Sequence, residues 1–394
     1  MNALSPIPTS VLVSRVNRLQ HWSRQQNLDA LVVFGQGSAL GNATRSHGNL
    51  RFLIDWDADA AVSAIIVPAD GSPSLVVANI FAAMRAKEHP MLAQVRFAKG
   101  PAFASAVLDL LPKAAAQIAI AGRDEIPISI WEGLVAAGAS DWPSCEAELS
   151  RQRVTKDEVQ IDHHRRAAAI CDRMFDRLSS TLRSGLPVFE VQAELEQLGH
   201  RLGCEHCDTW LTVRPVADRC RYVASENTNT PMDGDQVLLG IMLMFQGHWG
   251  HAIRTGTMGE PSPAARKTFD IVSAMHEEML GKLRPGADLR SVGEAGIFRD
   301  TKFGRYFQFR SGHALGHSYE DPIGSAEFPQ PYDESPAPTT LSKEARLAEK
   351  GMLFEIHPNL FIEDFAAASI GDMVLVTETG AEILTIHPRG LLSF

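Results

Sequence analysis

The chain has 394 residues, of which 45% are hydrophobic and 21% charged, a composition typical of globular proteins and unlike that of disordered or fibrous ones. It carries 37 Lys and Arg against 47 Asp and Glu, for a formal net charge of −10. With no long basic run, this balance argues against a nucleic-acid partner or an acidic membrane surface, and a small-molecule substrate is expected instead.

The chain start shows no secretory pattern, because residues 1–15 lack a basic stretch followed by an apolar run. No segment approaches the ~18 apolar residues of a membrane span. The five cysteines are sparse, so disulfides are not expected to hold the fold together. We therefore expect a cytoplasmic protein with reduced thiols.

The first part of the chain predicts an α/β domain. Apolar residues at near-helical spacing over 10–26 predict a helix, and the apolar run at 28–34 predicts a buried strand. Asp70-Gly71 between the apolar runs 61–67 and 74–77 predicts a hairpin. With a further strand at 117–121, these patterns indicate a domain over residues 1–154.

A charge-dense segment at 151–158 marks the expected boundary. Thr155 and Glu158 have capping-box spacing and predict the start of a long helix that runs to about 183. Helical patterns follow at 188–202 and 262–282, and strand patterns follow at 210–214, 236–245, 249–257, 351–362, 372–378 and 381–385. The predicted class is α/β (α+β), with a second domain of helices and a mostly antiparallel sheet over 155–394.

Three short segments of this second domain each contain a candidate ligand: His251 in Gly-His-Trp-Gly-His, His313 in Ser-Gly-His, and His357 in Glu-Ile-His-Pro. A single histidine is more often a surface group or a hydrogen-bonded core residue than a metal ligand. We predict that these three imidazoles meet at one site.

The segments around these histidines resemble those of a known family. The matching stretches are 234–239, 253–255, 311–313, 351–358 and 372–378, and 153–159 is similar to the segment that opens the family's catalytic domain. They resemble the pita-bread family of methionine aminopeptidase, aminopeptidase P, prolidase and creatinase. The resemblance implies a creatinase-type N-terminal domain, a pita-bread catalytic domain and a homodimer.

The resemblance also implies where metal ligands belong. The family's two-metal members use two Asp, one His and two Glu, and these positions fall in chain order on Gly240, His251, His313, His357 and Gly371. Four of the five have changed, so a carboxylate-bridged metal pair and ordinary proline-peptidase chemistry are not expected. Three imidazoles with open positions suit one divalent transition metal, Zn, Fe, Ni or Cu.

Creatinase resembles this fold but works without metal, through a His and two Glu. Its acid/base His aligns near Val223 and its glutamates near Ile253 and His357, so none of the three is kept and creatine is not expected as a substrate. A metal-free C–N hydrolase and a non-catalytic binding protein remain alternatives.

Neighbouring residues supply further candidates. Glu355 lies two residues before His357 and should share its face of a strand, where it could orient the imidazole or act as a base. His248 and His317 are the other catalytic candidates, and the candidates for substrate binding are Arg310, Trp249 and Tyr319. The resulting prediction is a metal-dependent enzyme acting on a small organic acid or amide-like compound.

Hydrolysis is the expected reaction, and a three-histidine iron oxygenase or a non-hydrolytic lyase is the alternative.

Cys204 and Cys207 form a lone Cys-x-x-Cys, which is more often a chance pair of buried thiols than a redox or metal site. Their role is left open.

Overall fold

The computed structural model describes residues 7–183, 185–217, 221–300, 302, 305–321, 327–328 and 346–394. The chain divides into two compact units. Unit 1 comprises residues 1–153 together with 317–321, and unit 2 comprises 154–316 and 322–394. The two domains predicted over residues 1–154 and 155–394 stay a prediction.

Unit 1 is built from one mixed sheet and the helices around it. Its helices are α1 (Thr9–Gln25), α2 (His47–Ile54), α3 (Ile80–Ala86), α4 (Pro101–Leu110), α5 (Ile128–Val135) and α6 (Glu146–Val154), whose last residue belongs to unit 2. Its strands are β1 (Ala30–Gly35), β2 (Ser63–Pro68), β3 (Ser74–Val77), β4 (Gln94–Phe97) and β5 (Ile118–Ala121), in the order β4-β3-β2-β1-β5. The predicted hairpin is confirmed, because β2 and β3 pair antiparallel.

The described residues of unit 2 form the α-helices α7 (Glu158–Leu182), α8 (Val188–Arg201), α9 (Pro263–Lys282) and α10 (Leu289–Ala295). Its strands are β6 (Cys204–Arg214), β7 (Gln236–Phe245), β8 (His248–Thr257), β9 (Tyr306–Phe307), β10 (Gly312–Ala314), β11 (Leu353–Ile356), β12 (Asn359–Ile362), β13 (Ala366–Ser369), β14 (Asp372–Val376), β15 (Ala381–Ile383) and β16 (Leu392–Ser393).

The described residues of unit 2 form three sheets, and two of them position the site. Long antiparallel hairpins join β6, β7 and β8, with β16 added at the edge in the order β16-β8-β7-β6. A second sheet has the order β10-β11-β14-β15, and a third has the order β13-β12-β9. Both hairpin strands β7 and β8 are buried along their whole length, so this hairpin forms part of the core of the unit.

The start of one predicted helix and the continuity of one predicted strand differ from the sequence prediction in an informative way. Helix α7 begins after Asp157, whose carboxylate accepts the backbone N–H of Gln160 while the Gln160 side chain returns to the Asp157 N–H. The N-cap is therefore two residues beyond Thr155, which pairs with Met352 instead. The strand predicted over 351–362 is divided into β11 and β12, because Pro358 has no N–H to donate to a ladder.

Among the described residues, no helix is both long and apolar enough to cross a membrane.

Candidate metal centre

Strands of two sheets in unit 2 bring three candidate residues together. His251 lies on β8, His313 on β10 and Glu355 on β11. His313 and Glu355 are directly opposite each other in the antiparallel ladder, so their side chains project from the same face. His357 follows the end of β11, where its N–H donates to the Ser311 carbonyl at 2.7 Å.

One carboxylate oxygen is the point on which the imidazoles converge. Oε2 of Glu355 lies 3.0 Å from Nδ1 of His251, 3.1 Å from Nε2 of His357 and 3.6 Å from Nε2 of His313. Donor atoms of His251, His313 and Glu355 all lie within 4.8 Å of one another, and His357 is outside that set. The arrangement fits a metal held by two imidazoles and one carboxylate, with His357 beside them.

The protonation of this cluster suits cation binding. Nδ1 of His313 donates to the Ala314 carbonyl at 3.0 Å, so a neutral ring presents its lone pair at Nε2. Burial, reinforced by nearby Arg310, holds the pKa of both His313 and His357 well below the ordinary value. Both imidazoles are therefore neutral near pH 7, the form that binds a metal.

Glu355 is fully buried, with 0% of its side chain exposed. Burial raises its pKa, and the neighbouring His251 and Arg310 oppose that rise. Its Oε1 has no hydrogen-bond partner among the described residues. Since buried carboxylates normally pair with a cation or coordinate a metal, this group supports the same assignment as the converging imidazoles.

The Glu355 carboxylate occupies space left by the glycine at position 371. A Cβ on Gly371 would lie only 2.3 Å from Oε1 of Glu355 and 2.8 Å from the backbone nitrogen of Ile253. Gly371 exchanges backbone hydrogen bonds with Ile253 at 2.9 and 3.1 Å, which ties the segment before β14 to β8. The Glu355 carboxylate therefore lies in the space that a side chain at position 371 would need.

The other glycine at an expected ligand position, Gly240, lies beneath the indole ring of Trp210. The two residues are cross-strand partners in the β6–β7 hairpin, and a Cβ at position 240 would overlap that ring. Aromatic rings also stand beside the cluster, with Trp210 centred 5.7 Å from His251 and Phe309 centred 5.5 Å from His357. The indole ring therefore fills the space that a side chain at position 240 would need.

A buried ionic network holds the strands behind the centre. Arg254 donates to Oδ1 of Asp372 at 2.8 Å and to the Gly371 carbonyl at 2.7 Å. Thr385 donates to the same Oδ1 at 2.6 Å, and His276 lies 3.2 Å from Oδ2. Burial alone would raise the pKa of Asp372, but Arg254 and His276 bring it well below the usual range. Asp372 is therefore an anion that fixes Arg254 and, through it, Gly371.

The sequence matches the family described as metallopeptidase family M24 over residues 162–378, more than half of the chain. The chain belongs to metallopeptidase family M24. Among curated M24-like relatives, an uncharacterized peptidase of Staphylococcus aureus is 26% identical over 251 residues, covering 61% of this chain and 65% of that protein. This chain thus spans about two thirds of the length of that relative.

Solved structures confirm the fold of this M24 chain. Dipeptidase PepE from Mycobacterium ulcerans superposes with a TM-score of 0.76 at 22% identity, covering 99% of each chain. The prolidase from Pyrococcus horikoshii OT3 superposes with a TM-score of 0.78 at 19% identity, covering 96% of this chain and 100% of that one. The predicted α/β class and the pita-bread architecture are confirmed, and at these identities the likeness concerns the fold alone.

The remaining predicted site residues of the M24 chain are distributed unevenly. Arg310 is close enough to His313, His357 and Glu355 to influence the pKa of each. His248 is on β8 and stacks on His163 with a centroid distance of 4.6 Å. Trp249 is fully buried and packs against His206. The catalytic role predicted for His248 and the substrate-binding roles predicted for Arg310 and Trp249 stay predictions.

His317 and Tyr319 belong to the segment 317–321, which groups with unit 1. There the N–H of His317 donates to Oδ2 of Asp321 at 3.0 Å, and its ring lies near Phe52. The catalytic role predicted for His317 and the substrate-binding role predicted for Tyr319 stay predictions.

Sequence reasoning missed Trp210 and Phe309. The signal that could have revealed Trp210 is an aromatic residue opposite a glycine in adjacent strands. That pairing with Gly240 can be recognised only when the register of the β6–β7 hairpin is known. Phe309 precedes β10 in an irregular segment and had no periodic pattern to reveal it.

Cys204 and Cys207 are buried free thiols in this M24 chain. Burial raises the pKa of Cys204 to about 12 and also raises that of Cys207, whose Sγ lies 3.9 Å from Sδ of Met174. Both therefore carry the unreactive protonated form near neutral pH, as expected of packing residues.

Proposed function

We propose that this protein is a hydrolase of an amide-type C–N bond in a small compound, working with one divalent transition metal. The carrying observation is the convergence of His251, His313 and His357 on one oxygen of Glu355, a fully buried carboxylate. Membership of a metallopeptidase family supports hydrolysis over the oxygenase and lyase alternatives. The names of the matched dipeptidase and peptidase point to a small amide substrate.

In this proposal, His251, His313 and Glu355 hold the metal, and His357 carries a proton. When bound, the metal supplies a Lewis acid that polarises a carbonyl and makes water more acidic. Nε2 of His357 is next to the cluster, and Nδ1 and Nε2 make no hydrogen bond of normal geometry among the described residues. A neutral imidazole in that position can accept a proton from water and return it to the leaving nitrogen.

Other side chains orient the substrate. The positive Arg310 lies near the cluster and suits a carboxylate or carbonyl oxygen of the substrate. The Trp210 and Phe309 rings provide an apolar wall that excludes water. A two-metal proline peptidase is not proposed, because neither Gly240 nor Gly371 offers a ligand and the indole of Trp210 takes up the space at position 240.

Metal analysis of the purified protein tests the proposal. We expect one zinc, iron, nickel or copper ion per chain in the wild type. His313→Ala and His251→Ala should lose the metal. His357→Ala should retain the metal and lose turnover. His248→Ala is the matched control, because that histidine stacks on His163 outside the cluster. Metal-free protein with an intact fold would overturn the proposal, and turnover that requires O₂ would overturn hydrolysis.

A further inference from the structure

A second cavity lies in unit 2, lined by the loop at 216–217, strand β9 and the β12–β13 hairpin. Its volume is about 690 Å³, within the range of small-molecule sites. The lining residues are Val216, Ala217, Arg305, Tyr306, Phe307, Phe361, Ile362, Glu363 and Asp364. None of them is a member of the metal cluster.

Aromatic rings form one part of the cavity wall. Phe307 and Phe361 are cross-strand partners with ring centroids 5.9 Å apart, and Phe307 leaves 41% of its surface exposed. The Tyr306 hydroxyl donates to the Phe298 carbonyl at 3.3 Å, which fixes the neighbouring ring. The exposed ring of Phe307, packed beside the buried ring of Phe361, offers a preformed surface for an apolar group or a cation.

Charged side chains at this cavity give it a negative balance. Glu363 and Asp364 contribute two carboxylates, and Arg305 contributes one guanidinium whose Nη1 lies 4.0 Å from Oε2 of Glu363. Arg305 can offset only one of the two carboxylates, so the set has a net charge of −1. Asp364 has φ +54°, a left-handed conformation in the three-residue hairpin turn, so its position is set by the turn.

We propose that this cavity binds an organic ammonium cation with an aromatic or similarly sized apolar body. The ammonium group pairs with Asp364, and the body packs on Phe307 and Phe361. An anionic ligand is disfavoured here, because two carboxylates, those of Glu363 and Asp364, line the cavity against the single guanidinium of Arg305. The cavity is thus a second ligand site, and its ligand has the opposite charge from the group that Arg310 suits at the metal centre.

Benzylammonium, benzyl alcohol and benzoate are matched probes, because they share a ring and differ in charge. Calorimetry or ligand-observed NMR should show benzylammonium binding about threefold to fivefold more tightly than benzyl alcohol, with benzoate weakest. Asp364→Asn tolerates the left-handed turn and removes the charge, and Phe307→Leu keeps apolar volume and removes the ring. Each should lower benzylammonium affinity to about that of benzyl alcohol.

The matched control is Glu260→Gln, which removes an exposed carboxylate paired with Arg266 away from the cavity lining and should leave binding unchanged. Benzylammonium affinity should also be the same in metal-loaded protein and in His313→Ala. Benzoate binding as tight as benzylammonium, or affinity that neither Asp364→Asn nor Phe307→Leu reduces, overturns the proposal. Affinity lost in His313→Ala also overturns it, because the cation would then bind at the metal centre.

Discussion

Oε1 of Glu355 lies 2.3 Å from the point where a Cβ on Gly371 would stand. Two neighbouring strands of one sheet therefore share a single space, and only one of them can fill it. The absence of a side chain at position 371 is what allows the β11 carboxylate to reach the imidazoles. This relationship makes Gly371 a requirement of the proposed metal centre even though it contributes no ligand atom.

We expect Gly371→Ala to weaken metal binding by about 10- to 100-fold, because the new Cβ displaces the Glu355 carboxylate. Competition with a fluorescent chelator measures this affinity. The control is Gly281→Ala on helix α9, where a Cβ meets no atom within 4 Å. Gly281→Ala should leave metal affinity unchanged and add about 1 kcal/mol of stability from helix propensity. Equal metal affinity in both variants would contradict the shared-space argument.

Glu355→Gln should separate the destabilising effect of the buried charge from the role of the carboxylate in metal binding. The amide keeps the shape of the side chain and removes a carboxylate that is fully buried. We expect the metal-free variant to be at least as stable as the metal-free wild type, since burial disfavours the charged form of the carboxylate. Added metal should raise the melting temperature of the wild type and not that of the variant. A variant that metal stabilises as strongly as the wild type would exclude Glu355 from the ligands.

The packing of Trp210 on Gly240 predicts a sign reversal in a double-mutant cycle. Gly240→Ala alone should lower the free energy of unfolding by about 1 to 3 kcal/mol, because its Cβ overlaps the indole. In a Trp210→Ala background the same change should stabilise by roughly 0.5 to 1 kcal/mol, the usual gain when a strand glycine becomes alanine. Urea unfolding of the four proteins measures both values, and additive effects would refute the contact.

His164 predicts a loss of stability in mild acid. Burial lowers its pKa to about 3, while the unfolded chain has an ordinary value of 6.5. Between about pH 3 and pH 6.5 the unfolded state binds a proton at His164 and the folded state does not. The contribution of the neutral His164 to the free energy of unfolding is therefore present above pH 6.5 and is lost as the pH falls. From about pH 7 to about pH 5, this one group should cost the wild type about 2 kcal/mol.

The comparison variant for that experiment is His164→Asn, whose amide can replace the Nδ1 donor to the Trp249 carbonyl. It should lose about 2 kcal/mol less than the wild type over the same pH interval in urea unfolding. The same pH dependence in both proteins would show that His164 is not the group that titrates.

Much of the fold could be predicted because its signals are local. The Asp70-Gly71 turn specified the β2–β3 hairpin, and the family segments specified the pita-bread domain. The start of α7 was misplaced because both Thr155 and Asp157 have side chains that can cap a helix. Thr155 forms a backbone bridge with Met352, and Asp157 is the N-cap. That contact joins residues far apart in sequence, and no local pattern reveals it.

The site was predicted less completely than the fold. Placing His251, His313 and His357 on expected ligand positions predicted one shared site. In the structure a ring nitrogen of each lies within 3.6 Å of Oε2 of Glu355, and their roles as ligands stay predictions. The place of Glu355 among them depends on its register opposite His313 and on empty space at Gly371. Both are properties of strand pairing between distant segments, so periodicity alone could not supply them.

The overlap between Trp210 and any side chain at position 240 also constrains the history of this chain. If an ancestor carried the carboxylate that the family resemblance places at 240, a tryptophan with this rotamer could not have been accepted beside it. The change to glycine had to come first or at the same time. Once the indole had settled over the glycine, restoring the carboxylate alone would disrupt the hairpin. From such an ancestor, a carboxylate at position 240 could return only together with a change at Trp210.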